Sequence, residues 1–218
     1  MPINLAFTSF GTGGSVLQFL DDIDRRTRQK GWGLTMFEQL DIQGPVLIRP
    51  KFFRDKRGYF TETYSSRLYQ ENGIEPDFLQ DNVSLSSEIY TVRGLHFQNP
   101  PYDQAKLIRV QAGRILDVAV DLRASSKTYG QHVAIELSAE HGEQLYVPCG
   151  FAHGFCTLEP NCLVAYKVSS FYAPSADSGL HWNDPALGIK WPMGEEEAVV
   201  SEKDQLLQRF TGFASPFV

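Results

Sequence analysis

The chain has 218 residues, 42% of them apolar and 21% charged, with a formal net charge of -6 at pH 7. That balance fits one ordinary globular domain and excludes disordered and fibrous classes. The acidic excess also excludes the usual basic footprint of nucleic-acid binding, and no run approaches transmembrane length, so the expected partner is a small molecule.

Residues 1–35 read differently from the rest. Ser15 can cap a short helix with Val16, Phe19, Leu20 and Ile23 on one face, followed by Arg25, Arg26, Arg28 and Lys30. The opening run lacks early basic residues, is broken by Gly11, Gly13 and Gly14, and meets Asp21 and Asp22 rather than a small-residue cleavage site. It is expected to be an N-terminal extension, a flexible tail or an over-extended start, ahead of a domain over residues 36–218. Cys149, Cys156 and Cys162 form no CxxC pair, which suits free thiols in a reducing compartment and predicts a cytoplasmic protein.

From about Leu40 onward, short alternating apolar runs are separated by turn residues, and only residues 66–72 and 203–210 read as short helices. Over residues 115–122, Leu116, Val118, Val120 and Leu122 point one way, and Asp117, Ala119 and Asp121 the other. The same period over residues 162–172 puts Tyr166 on a face with Val164 and Val168. With turns at Gly113, Gly142 and Gly150, the pattern predicts a mainly β, double-sheet jelly roll.

His96 stands in the run Val92-Arg93-Gly94-Leu95-His96-Phe97-Gln98-Asn99-Pro100-Pro101, read as following a glycine-bearing turn. Positive charge at Arg93 and Lys106 disfavours an imidazolium, which makes His96 a candidate general base. Together with Pro148-Cys149-Gly150-Phe151-Ala152-His153-Gly154-Phe155, this is the layout of a cupin-type barrel, in which two motifs project side chains into one barrel mouth. Metal-binding cupins carry a second His and a carboxylate where this chain has Gln98, Gln104 and Lys106. Amides and an ammonium are poor ligands for a divalent ion, so no metal is expected.

Several further segments occur in one order: Phe53-Arg54-Asp55-Lys56-Arg57-Gly58-Tyr59-Phe60-Thr61-Glu62, Gln80-Asp81-Asn82, Tyr166-Lys167, Trp182-Asn183-Asp184-Pro185 and Ser201-Glu202-Lys203-Asp204. With the two His motifs, they resemble the dTDP-4-dehydrorhamnose 3,5-epimerase family from about Met36 to Asp204. The resemblance implies a cofactor-free jelly roll, usually a homodimer, acting on a dTDP-4-keto-6-deoxy sugar. It further implies His96 as base, Asp204 as holder of its tautomer, Tyr166 as acid and Lys106 beside the developing enolate oxygen. Arg57, Glu62, Gln80, Asp81, Asn82, Arg93, His153, Asp177 and Lys203 would surround substrate, with Tyr172 stacking on thymine. Asp177 stands where a longer Glu is common, and Val83 where a polar residue is frequent.

Taken singly, these residues have plainer readings. Tyr166 fits a core tyrosine, His153 a hydrogen-bonded core histidine, and Arg57 and Lys106 solvated charges. Rival functions are a single-centre epimerase, a 3,4-ketoisomerase, a sugar-nucleotide-binding jelly roll without turnover, and a metal-dependent cupin oxygenase.

Overall fold

Strands make up most of the regular structure in the computed structural model, which describes residues 35–74 and 77–218. The extension expected over residues 1–35 lies, apart from Thr35, outside the described residues.

Six strands form the first sheet in the order β1 (Met36–Gln39), β2 (Val46–Arg49), β10 (Gln144–Val147), β7 (Lys106–Ala112), β12 (Cys162–Val168) and β5 (Gln80–Ser86). The second runs β13 (Asp177–Gly179), β6 (Thr91–Gln98), β11 (Phe151–Thr157), β8 (Arg114–Asp121) and β9 (His132–Ser138). A short strand β14 (Val199–Val200) lies parallel to β6, and β3 (Phe52–Asp55) with β4 (Gly58–Thr61) makes a separate hairpin. The two facing sheets are the double-sheet jelly roll that the alternation predicts.

Inward residues of both sheets meet in one core of Ile108, Val110, Leu145, Val164, Ala119 and Phe155, among others. The opposite face of β8, continued by Leu122 just past its end, presents Val118 and Val120 to a layer formed by Leu180, Leu187, Phe213 and Phe217 of the C-terminal segment. Burying each of these large apolar side chains contributes about 1.5–3 kcal/mol. The outer face of the first sheet is covered in part by helix α1 (Ser66–Glu71), whose Tyr69 packs with Val46, Ile48 and Leu107.

The second helix, α2 (Glu202–Gln205), is shorter than the sequence predicts. Beyond Leu206 the backbone instead pairs with the segment after β13, where His181 N–H donates to Gln208 O at 2.8 Å, and this pairing ends the helix. The strand expected over residues 162–172 likewise stops at Val168, which leaves Tyr172 in a loop. Among the described residues, no helix is long and apolar enough to cross a membrane.

One buried carboxylate pins the corner after β8. Asp121 accepts hydrogen bonds from the Arg123 backbone and guanidinium, from Ser126 Oγ and from Thr128 Oγ1. Burial alone would raise its pKa, but these bonds hold it down at about 2. A carboxyl whose folded pKa lies below its unfolded one stabilises above the unfolded value and loses that contribution as pH falls through the folded one. Asp121→Asn is therefore expected to lower the urea midpoint at pH 7, with the gap from the parent protein closing between about pH 4 and pH 2.

Candidate active site

In a regular strand, residues three apart face opposite ways. Across β6 and β11, His96 stands opposite His153 but Arg93 opposite Phe155, so three steps on β6 match two on β11. This bulge turns Arg93 and His96 into the same cleft. It depends on glycine. Gly94 has φ +125°, and a Cβ there would lie 2.6 Å from Gly154 Cα and 2.8 Å from His153 O. A Cβ on Gly154 would in turn meet Arg93 O at 2.7 Å. The glycine read as part of a turn is thus a bulge inside a strand, pressed against a second glycine. Arg93 then spans to the edge of the facing sheet, with Nε donating to Ser86 Oγ and Nη2 to Leu85 O, both at 3.0 Å.

Strand β14 runs beside β6, Val200 opposite Val92, and delivers α2 to the same place. Ser201 caps that helix by accepting from Asp204 N–H at 3.1 Å. The buried Asp204 carboxylate then takes two donors: Oδ1 accepts from His96 Nε2–H at 2.7 Å, and Oδ2 from Gly94 N–H at 3.1 Å. Burial would push the Asp204 pKa up, but the hydrogen bond and charge of His96, with the Gly94 and Ser201 bonds, outweigh it and hold the carboxyl below its usual range. With Nε2–H engaged, a neutral His96 ring carries its lone pair on Nδ1.

The facing wall belongs to the other sheet. Lys106, at the start of β7, reaches across and donates from Nζ to His96 O at 3.1 Å. Desolvation lowers its pKa to about 8 against the opposing pull of Asp117 and Asp177. Tyr166 projects from β12, and burial raises its phenol pKa while Arg93 draws it down. A phenol shifted upward stays protonated and able to donate a proton at neutral pH.

His96, Lys106, Tyr166 and Lys203 are shared by two adjoining cavities of about 520 and 340 Å³. Arg93, His153 and Asp204 line the larger, and Gln80, Asn82, Tyr172 and Asp177 the smaller. His153 donates from Nε2 to Asp117 Oδ1 at 2.7 Å. Lys203 and Tyr172 both bond to Asp177, which ties the rim of the smaller cavity together.

Three residues taken as substrate contacts from the resemblance lie elsewhere in this chain. Asp81 points outward, because in β5 it alternates with inward Gln80 and Asn82, and it pairs with Lys167 at 2.8 Å. Arg57 sits at the exposed tip of the β3–β4 hairpin, paired with Asp55, and exposed Glu62 follows β4. Ser84 and Phe155 line the larger cavity but were not among the expected residues. Each lies two positions beyond an expected one, Asn82 and His153, so strand period alone marks them. Among the described residues, no three His, Cys, Asp or Glu side chains converge to hold a metal ion.

A cupin-type jelly roll with a carboxylate-held His facing a Tyr and a Lys across one cleft defines the class as an acid–base isomerase scaffold. Residues 39–212 match the family profile described as dTDP-4-dehydrorhamnose 3,5-epimerase, and the chain belongs to that family. It is 50% identical over 168 residues to the dTDP-4-dehydrorhamnose 3,5-epimerase of Sinorhizobium fredii, covering 77% of this chain and 86% of that one. The crystal structure of the Bacillus anthracis enzyme with TDP and PPi bound superposes with a TM-score of 0.78 at 45% identity, covering 81% of this chain and 99% of that one. The Legionella pneumophila dTDP-6-deoxy-D-glucose-3,5-epimerase, in complex with dTDP-4-keto-L-rhamnose, gives a TM-score of 0.77 at 39% identity, covering 81% and 93%.

The contact between the two glycines generates a specific expectation. Gly154→Ala places a methyl group against Arg93 O and forces β6 from β11, which should cost about 1–3 kcal/mol in urea denaturation. Epimerase turnover is expected to fall at least about tenfold under conditions where the variant remains folded, because the displaced strand carries His96.

Proposed function

We propose that this enzyme inverts C3 and C5 of dTDP-4-dehydro-6-deoxy-D-glucose to give dTDP-4-dehydro-L-rhamnose, through the residues of this cleft. The carrying observation is that His96 and Tyr166 enter one cavity from opposite sheets, with Lys106 beside both. Hydrogens on C3 and C5 are acidified by the C4 ketone through enolate resonance. His96 Nδ1 takes one of them, and the electron pair moves onto the C4 oxygen. Lys106 stabilises that oxygen in a site largely cleared of water. Tyr166 returns a proton to the same carbon from the other face, which inverts it; His96 then gives its proton to solvent and Tyr166 regains one before the cycle repeats at the second centre. No electron leaves the sugar, so the chemistry calls for no redox cofactor.

Substrate binding follows the same division. Arg93, His153 and Lys203 face the sugar and pyrophosphate, Gln80, Asn82 and Asp177 the adjoining cavity, and Tyr172 offers its exposed ring to thymine. Residues 36–218 are the catalytic domain and residues 1–35 an extension to it. The unpaired cysteines support a cytoplasmic setting.

The working unit in this proposal is a homodimer. The hairpin that carries Arg57 exposes Phe53, Tyr59 and Phe60, and β5 exposes Val83 and Leu85 on the uncovered part of the first sheet. Apolar surface grouped in this way favours burial against another chain. Arg57 and Glu62, remote from their own cleft, then serve substrate bound by the partner.

His96→Ala is expected to lower turnover at least about a hundredfold while dTDP affinity stays near the parent value. In deuterated water the parent enzyme should place deuterium at both C3 and C5 by proton NMR, whereas label confined to one carbon would refute double epimerisation. Tyr166→Phe should retain more exchange than inversion. For the dimer, mixing inactive His96→Ala and Arg57→Ala chains should recover activity, because one cleft of each mixed pair is whole. No recovery after verified subunit exchange would place Arg57 outside the partner's site.

A further inference from the structure

Asp117 lies behind His153, fully buried on β8, and the acid–base scheme above gives it no part. Its Oδ1 is taken by His153, and its Oδ2 accepts no hydrogen bond from any protein group. Close by is the opposite imbalance: Lys106 is buried with a three-donor ammonium whose hydrogen bond runs to His96 O. An ammonium out of water stays charged only against a nearby negative group.

Lys106 Nζ touches His96 O on β6, His96 stands opposite His153 on β11, and His153 is bonded to Asp117 on β8. Tyr166 from β12 and Lys203 from α2 line the same cavities as Lys106, and Asp117 and Asp177 both act on the ammonium's charge. A third carboxylate, Asp204, is near. Asp204 has both oxygens engaged, one by His96 and one by Gly94. Asp177 is ion-paired with Lys203 and also accepts from Tyr172. Asp177 takes both of its donors on Oδ2 at the partly exposed rim, whereas the uncommitted oxygen of Asp117 is buried, and full burial leaves its charge unscreened by solvent ions.

We infer that Asp117 is a positioning residue of the reaction: its buried carboxylate is the counter-charge that keeps Lys106 cationic for the substrate ketone, while its other oxygen fixes the His153 ring. Asp117 touches neither sugar nor enolate and acts through those two side chains. The use made of the charge rests on the epimerase reading. The charge coupling itself does not, because it exists in the protein without substrate.

The test therefore reads Lys106 directly in the full-length protein, free of substrate, by carbon NMR of its Cε across pH. Asp117→Asn keeps the shape and an acceptor for His153 but removes the charge, and should lower the Lys106 midpoint by about one unit or more. Asp177→Asn should lower it less, since that carboxylate is already neutralised by Lys203. The alkaline limb of kcat/KM should move down in parallel with the Asp117→Asn midpoint. An unaltered Lys106 midpoint in Asp117→Asn, or a larger shift in Asp177→Asn, overturns the inference. If Asp117→Asn does not fold, the coupling can be read from its other end, since linkage is reciprocal. Lys106→Met should then raise the Asp117 carboxyl midpoint, and no change there would equally overturn it.

Discussion

Asp204 holds two donors that sit two residues apart on β6, the ring of His96 and the backbone N–H of Gly94. A flat strand would offer no such pair, because its amides are committed to neighbouring strands. The Gly94 bulge frees one amide at the point between β14 and β13 on the same edge of β6. A single carboxylate thereby fixes the tautomer of the proposed base and seals a gap in the sheet. Its position also explains why a four-residue helix suffices to carry it: the Ser201 cap and the β14 pairing supply the anchoring that so short a helix lacks.

The cleft's charges are arranged by commitment rather than by number. Asp204 is bound to His96, Asp177 to Lys203, and Asp117 to His153 with one oxygen left over. Arg93 is tied to neutral acceptors on β5, Ser86 Oγ and Leu85 O, so its guanidinium keeps its full positive charge toward the cavity. The positive excess in the cleft suits a substrate that arrives with a pyrophosphate and passes through an enolate. That excess is local, since the whole chain is acidic.

Much of this is legible in the residues, and the parts that are not share a cause. The β8 alternation can be read directly because both of its faces are buried, one on the inter-sheet core and one under the C-terminal layer. Period two also separates Gln80, Asn82 and Ser84 from Asp81, and following it would have kept Asp81 out of the site. What the period cannot show is a break in itself. The bulge that turns Arg93 to the side of His96 is set by contact between Gly94 and Gly154, which are far apart in the chain. The helix end at Gln205 depends on pairing between Gln208 and the segment after β13. The meeting of His96 with Asp204, 108 residues on, had no local signal and came only through resemblance to a family.

Two packed sheets suit this chemistry for a geometric reason. Inverting a carbon centre takes a base and an acid on opposite faces of one ring, held apart by the ring's thickness. A single sheet or helix presents its side chains from one side, and a flexible loop would have to order itself at an entropic cost. Here β6 supplies His96 and the facing β12 supplies Tyr166, so the separation of the walls is set by the same core that holds the sheets together. Lys106 crosses from one wall to the backbone of the other and spans that gap with its own length. On the proposed assignment of His96 and Tyr166, the fold fixes the spacing of acid and base before substrate arrives, and the reaction inherits its stereochemistry from the packing of the two sheets.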